Sequence, residues 1–213
     1  MKRLLLVLSA PSGGGKTTIA KKLLQVRNDL GYSVSATTRA MRNGEKEGVD
    51  YHFLKRAEFE RRRDAHEFLE WAEYGGQLYG TLKREIDGIF AEGRHAVLDI
   101  DIEGARQIRR NLSNSLQVFV LPPSAEVLME RLTRRNTENR ELLRKRLTRA
   151  SEELAAVAEY DYAIVNQDLD TAVAQVSAIL DGKADDRLVS RQGKLPSQIE
   201  QLRRDVVKAA EKI

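Results

Sequence analysis

The stretch Leu4 to Ala20, LLLVLSAPSGGGKTTIA, constrains this chain more than any other part of it. A short apolar run breaks off at Ala10-Pro11-Ser12, three glycines follow, and Lys16-Thr17-Thr18 open a segment with helical spacing. Glycine adopts positive φ without steric cost, so such a loop can turn its N–H groups toward an anion at the start of the next helix. Gly-Lys-Thr sits at the strand-to-helix junction, as in the pattern G-x-x-x-x-G-K-[ST]. Ala10 stands in place of the first glycine, which negative φ would permit. Ala10, Pro11, Ser12, Gly13, Gly14, Gly15, Lys16, Thr17 and Thr18 are therefore candidate nucleoside-triphosphate contacts. Lys16 would reach the β- and γ-phosphates, and the Thr17 hydroxyl would ligate Mg²⁺.

The rest of the chain repeats the rhythm of apolar strand and helix. Residues 4–8 read as a fully buried strand, and 17–26 as a helix with Ala20, Leu23 and Leu24 on one face. HAVLDIDIEGARQIRR is a second buried strand that ends in acids and leads into a helix. LQVFVLPPSAEVLMERL is a third, stopped by Pro122 and Pro123, with Ser124 as cap of the following helix. YDYAIVN is a fourth, ahead of a helix around Asp170–Leu180. Apolar strands separated by helices predict a parallel sheet covered on both faces, hence an α/β fold. Asp99 and Asp101 fall at the carboxyl end of a strand, where such sheets bind ligands. There they could hold waters of Mg²⁺ or meet donors on a second substrate.

Two segments depart from that rhythm. Residues 33–83 are more polar, with the short strand-like pieces YSVSAT and DYHFL, and read as an inserted α+β subdomain. Residues 124–150 are helical and rich in arginine. The core then comprises 1–32, 84–123 and 151–182, and the tail 183–213 is a linker followed by a helix. In that helix Ser197 and Glu200 form a capping box, and Ile199, Leu202, Val206, Ala209 and Ile213 make a stripe. The stripe spans barely two heptads, so docking on the body is preferred to a self-associating coil that would make a homo-oligomer.

Composition removes several classes. The 213 residues are 41% hydrophobic and 32% charged, enough for a real core. Cysteine is absent, which excludes disulfides and thiolate metal sites. The opening MKRLLLVLSA is too short in its apolar part for a signal peptide, and no run approaches membrane-spanning length. A cytoplasmic protein without membrane contact is expected. The net charge of +4 arises from interleaved acids and bases without stacking aromatics, so no nucleic-acid partner is expected either.

SAPSGGGKTT, SVSATTRAMRNGE, GVDYHFL, FLEWAEYGGQLYGT, VLDIDIEGA, VFVLPPS, RLTRRNTENRELLRKRL and YDYAIVNQDLDTA occur in one order across residues 4–182. In that order the chain resembles the bacterial-type guanylate kinases, P-loop nucleoside monophosphate kinases. The resemblance implies a parallel five-stranded core sheet flanked by helices, a GMP-binding subdomain over 33–83 and a helical lid over 124–150. It implies Mg²⁺-dependent transfer of the ATP γ-phosphoryl group to GMP, and to dGMP. Glu70 would accept from guanine N1–H and the 2-amino group, with Ser35 and Thr81 completing base recognition and Asp99 and Asp101 close by. Arg39, Arg42, Tyr51 and Tyr79 would take the GMP phosphate. Arg131, Arg135 and Arg146 would join Lys16 and Arg39 around the transferring group, and Asn166 would lie near adenine. Met41, Glu103 and Asn136 depart from the family pattern, which bears on rate and loop geometry. The alternatives are a guanylate-kinase-like binding module without activity and a related kinase acting on a phosphorylated sugar.

Overall fold

The computed structural model describes residues 3–112, 114–134, 140–185 and 197–213. In chain order the first elements are β1 (Leu5–Ser9), α1 (Lys16–Val26), β2 (Leu30–Tyr32), β3 (Ala36–Thr37), β4 (His52–Phe53), α2 (Arg56–Asp64), β5 (Phe68–Tyr74), β6 (Gln77–Leu82) and α3 (Lys83–Ala91). They are followed by β7 (His95–Asp99), α4 (Ile102–Asn111), β8 (Ser115–Leu121), α5 (Ala125–Arg134), α6 (Arg140–Ala155), β9 (Tyr162–Val165), α7 (Leu169–Leu180) and α8 (Ser197–Glu211).

The fold is α/β, with a five-stranded parallel sheet in the order β2-β7-β1-β8-β9 and a four-stranded sheet in the order β4-β3-β6-β5. The fifth core strand, which periodicity alone did not reveal, is β2. The piece YSVSAT therefore divides: Tyr32 ends a core strand, while Ala36 and Thr37 belong to the smaller sheet. Gly31 explains why β2 is hard to read, since a Cβ there would come within 2.7 Å of Ile89 Cγ2. A strand residue without a side chain carries no apolar signal.

By packing, the chain divides into two compact units, Met1–Val7 with Leu24–Ser115 and Leu8–Leu23 with Leu116–Ile213. In the first, Leu5, Leu6, Val7, Ala96, Val97 and Leu98 are fully buried, as expected of strands covered on both faces. A second small core gathers Ala36, Phe59, Phe68, Leu78 and Leu82, with the Phe59 and Phe68 rings stacked 4.3 Å apart. The β5–β6 hairpin turns through Gly75 and Gly76, both at positive φ, the conformation a tight two-residue turn requires. Its register shifts between Phe68 and Glu70, and Glu70 then stands opposite Thr81.

In the second unit, α1 buries Ile19, Ala20 and Leu23, while Leu24 is only partly covered. β8 stops at Leu121 before the two prolines, and Ser124 Oγ accepts the Val127 N–H at 3.3 Å, as its capping position predicts. α7 begins one residue earlier than periodicity suggests because the Asp168 carboxylate caps it, accepting the Thr171 N–H at 2.8 Å. The arginine-rich segment forms α5 and α6, and α6 continues to Ala155.

α8 packs on α5 and α6 within the chain, burying Ile199, Val206 and Ala210. Docking on the body is thus what the stripe does here, with Ala210 rather than Ala209 the most covered alanine. The capping box rests on the Ser197 side chain, which lies outside the described residues, as do linker residues 186–196. Among the described residues no helix is long and apolar enough to cross a membrane.

Candidate active site

The candidate residues fall into two groups, one in each unit. In the second unit, the loop after β1 has the backbone its glycines allow. Gly13 and Gly15 have φ of 86° and 96°, and the Gly14 N–H closes a turn on the Pro11 carbonyl at 2.8 Å. Ala10 has no positive φ, so the missing first glycine costs no strain. It instead sets a condition on Gly14, whose Cβ would lie 2.7 Å from that of Ala10. Lys16 is the first residue of α1, and Thr17 and Thr18 are exposed in its first turn.

The loop is braced from behind. Asn166, buried just past β9, donates its amide to the Gly14 carbonyl at 2.9 Å. Arg131 on α5 donates to the same carbonyl at 3.4 Å and to the Asn166 carbonyl at 3.3 Å. A side chain on Gly15 would strike the Asn166 amide. Asn166, expected beside adenine, therefore has its amide on the phosphate loop. Arg131 has its guanidinium there too, fixed on the Gly14 and Asn166 carbonyls. The Ser12 N–H meets the Glu153 carboxylate at 3.1 Å, and Arg149 pairs with Glu153 at 2.9 Å. Arg146 is half-buried on α6. Arg135 and Asn136 lie outside the described residues.

In the first unit, Glu70 is a buried carboxylate, 5% exposed, on an edge strand. The Thr81 hydroxyl donates to its Oε1 at 2.7 Å. Its other oxygen lies against α4, where a Cβ on Gly104 would come within 2.6 Å. Burying a carboxyl group is costly unless donors meet it, and the Thr81 hydroxyl is one such donor. Ser35 is half-buried, and its carbonyl accepts the His52 N–H at 2.9 Å, tying β4 into the sheet.

Arg39 lies 5.3 Å above the Tyr51 ring, and Tyr51 meets the Tyr79 ring edge-on at 6.1 Å. Glu45 grips Arg39 with two hydrogen bonds of 2.7 and 3.0 Å and also accepts the Arg42 N–H at 2.7 Å. The Arg39 guanidinium, followed by the Arg42 N–H, holds the Glu45 carboxyl below the usual glutamate range. Arg42 itself is exposed. Sequence reasoning did not single out Glu45. Its signal was an acid six residues after Arg39 across the turn glycine at 44.

Asp99 ends β7, and Asp101 caps α4 by accepting the Gly104 N–H at 2.9 Å. Burial, and then the Asp99 charge, push the Tyr32 hydroxyl pKa above the ordinary tyrosine value. Glu103 is exposed and paired with Arg106 at 3.7 Å and Arg110 at 3.5 Å, so its extra charge is met on the α4 surface. Met41 is exposed. Among the described residues no cluster of three His, Cys, Asp or Glu could hold a metal.

The guanylate kinase family model matches residues 2–183, which include both groups. The chain belongs to the guanylate kinase family. A guanylate kinase of Carboxydothermus hydrogenoformans is 45% identical over 179 residues, covering 84% of this chain and 88% of that protein. One of Paramagnetospirillum magneticum is 46% identical over 202 residues, covering 94% and 93%, so similarity to that guanylate kinase extends beyond the family model into the tail. The crystal structure of guanylate kinase from Anaplasma phagocytophilum superimposes with a TM-score of 0.70 at 36% identity, covering 85% of this chain and 86% of that one.

Proposed function

We propose that this guanylate kinase family member transfers the γ-phosphoryl group of ATP to GMP and dGMP, giving ADP and the diphosphate. The observation that carries the guanine reading is the buried Glu70 carboxylate, held by the Thr81 hydroxyl at 2.7 Å. Guanine offers N1–H and a 2-amino group side by side, and one carboxylate can accept both. Ser35, Asp99 and Asp101 complete the nucleoside side.

Arg39 and Arg42, with the hydroxyls of Tyr51 and Tyr79, take the GMP phosphate. The acceptor oxygen is already ionised, so little base catalysis is needed, and positioning and charge compensation carry the reaction. Residues 10–18 cradle the triphosphate, Lys16 meets the β- and γ-phosphates, and Arg131, Arg135 and Arg146 offset charge on the transferring group. The Thr17 hydroxyl, exposed at the start of α1, is a hard oxygen donor of the kind Mg²⁺ takes and would hold it, and Asp99 or Asp101 would be the groups to hold its waters. When bound, Mg²⁺ neutralises phosphate charge. The reading is of a cytoplasmic enzyme with small-molecule partners, without nucleic acid or membrane.

ADP release should be measured with GMP, dGMP, AMP, UMP and ribose phosphates as acceptors. Turnover with GMP alone, and with dGMP, supports the reading. Turnover with a ribose phosphate, or with none, would replace it by the sugar-phosphate kinase or the inactive binding module.

A further inference from the structure

β5 is the outer strand of its sheet and carries a register shift immediately before Glu70. An outer strand leaves a row of main-chain N–H and C=O groups unpaired by the ladder, and a bulge adds more. Along β5 these groups are met by side chains of α4. Gln107 binds both main-chain groups of Trp71, accepting the N–H on Oε1 at 3.1 Å and donating Nε2–H to the carbonyl at 2.7 Å. Asn111, four residues on, donates to the Leu69 carbonyl at 3.4 Å. Gly104, three residues before Gln107, presents bare backbone to the Glu70 carboxylate, where a Cβ would lie 2.6 Å from Oε2 and 3.1 Å from Cδ. Positions 104, 107 and 111 share one face of the helix.

These contacts bracket Glu70. The residue before it and the residue after it are each fixed through the main chain, and its carboxylate rests on the gap left by Gly104. A primary amide that pairs with both groups of one residue does what a neighbouring strand would do. It fixes the height and rotation of that residue, and so of the next side chain along.

We propose that Gln107, with Gly104, is a positioning residue for nucleobase selection: α4 serves as a surrogate strand that sets where the Glu70 carboxylate stands. This rests on the reading of Glu70 as the guanine acceptor. A misplacement on the order of 1 Å at a recognition group can cost about 100-fold, so the amide pair controls selectivity without touching substrate.

The test compares wild type with Gln107→Ala, Gly104→Ala and Glu70→Gln, measuring kcat/KM for GMP and AMP, the ATP KM and thermal melting. Gln107→Ala and Gly104→Ala should each raise the GMP KM and lower the GMP/AMP ratio by at least about tenfold while the ATP KM holds. Gly104→Ala places the better helix former on α4, so its melting temperature should fall little while selectivity falls. If Gln107→Ala does not give folded protein, Gly104→Ala carries the test. A wild-type GMP/AMP ratio in folded variants, or an equal loss for both nucleotides, overturns the inference while Glu70→Gln still loses selectivity. If Glu70→Gln itself keeps the wild-type ratio, the reading of Glu70 fails first and the positioning role falls with it.

Discussion

Arg39 and Glu45 form a two-pronged ion pair, with Nη2 2.7 Å from Oε1 and Nη1 3.0 Å from Oε2. The pair closes the loop between β3 and β4 and sets the plane of the Arg39 guanidinium. Its glutamate is thus an anion held against the guanidinium that we propose for the GMP phosphate.

The pair implies a pH dependence. The folded pKa of Glu45 is depressed by Arg39 and then by the Arg42 N–H, so the pair's contribution is present above the ordinary glutamate range. It is lost only as pH falls through the depressed folded value. The loop should therefore hold across neutral and mildly acidic pH. In a carboxylate NMR titration Glu45 should titrate below ordinary glutamates, and in Arg39→Ala it should return toward them. An ordinary midpoint in wild type would remove the pair from solution.

Lys16→Ala should cost turnover without costing the fold, because Lys16 opens α1 and is not part of the buried core. Losing a preorganised donor at developing charge is worth roughly 3–4 kcal/mol, on the order of 100–1,000-fold in kcat. Near-wild-type turnover at saturating ATP would show that the loop does not serve catalysis.

Glu70→Gln keeps the shape of the side chain but turns one acceptor into a donor. GMP should lose about 2 kcal/mol or more in kcat/KM, and AMP little, because adenine N1 is an acceptor that an amide N–H can meet. The ratio of the two constants in both proteins is the measurement.

Asn166→Ala removes the buried amide that holds the Gly14 carbonyl at 2.9 Å. Arg131 alone then remains on that carbonyl, at 3.4 Å, and losing the shorter bond costs about 1 kcal/mol, so the ATP KM should rise roughly fivefold with the GMP KM little changed. A change confined to adenine-over-guanine preference in the donor nucleotide would instead place Asn166 at the base.

Val206 is fully buried where α8 packs on α5 and α6. Val206→Asp puts an unpaired charge there and should cost on the order of 3 kcal/mol, lowering Tm by about 6–12 °C. Unchanged melting together with loss of an oligomer on sizing chromatography would mean that the stripe serves self-association.

Local chemistry made the glycine turn before α1 legible, because three glycines before Lys16 free the backbone for the positive φ that Gly13 and Gly15 adopt. Pro122 and Pro123 likewise marked the end of β8, and the uninterrupted apolar runs of β1, β7 and β8 announced strands buried on both faces. What distance along the chain conceals was decided by packing. β2 is three residues long and contains a glycine, so it becomes a core strand only because β7 pairs with it. Asn166 lies 152 residues from the Gly14 carbonyl it holds, and Gln107 lies 36 from Trp71. The polar side chains in those contacts look like surface residues in a linear reading. A hydrogen bond between distant segments leaves no periodic trace in a single sequence, so only the tertiary fold reveals that α4 supplies the outer partner of β5.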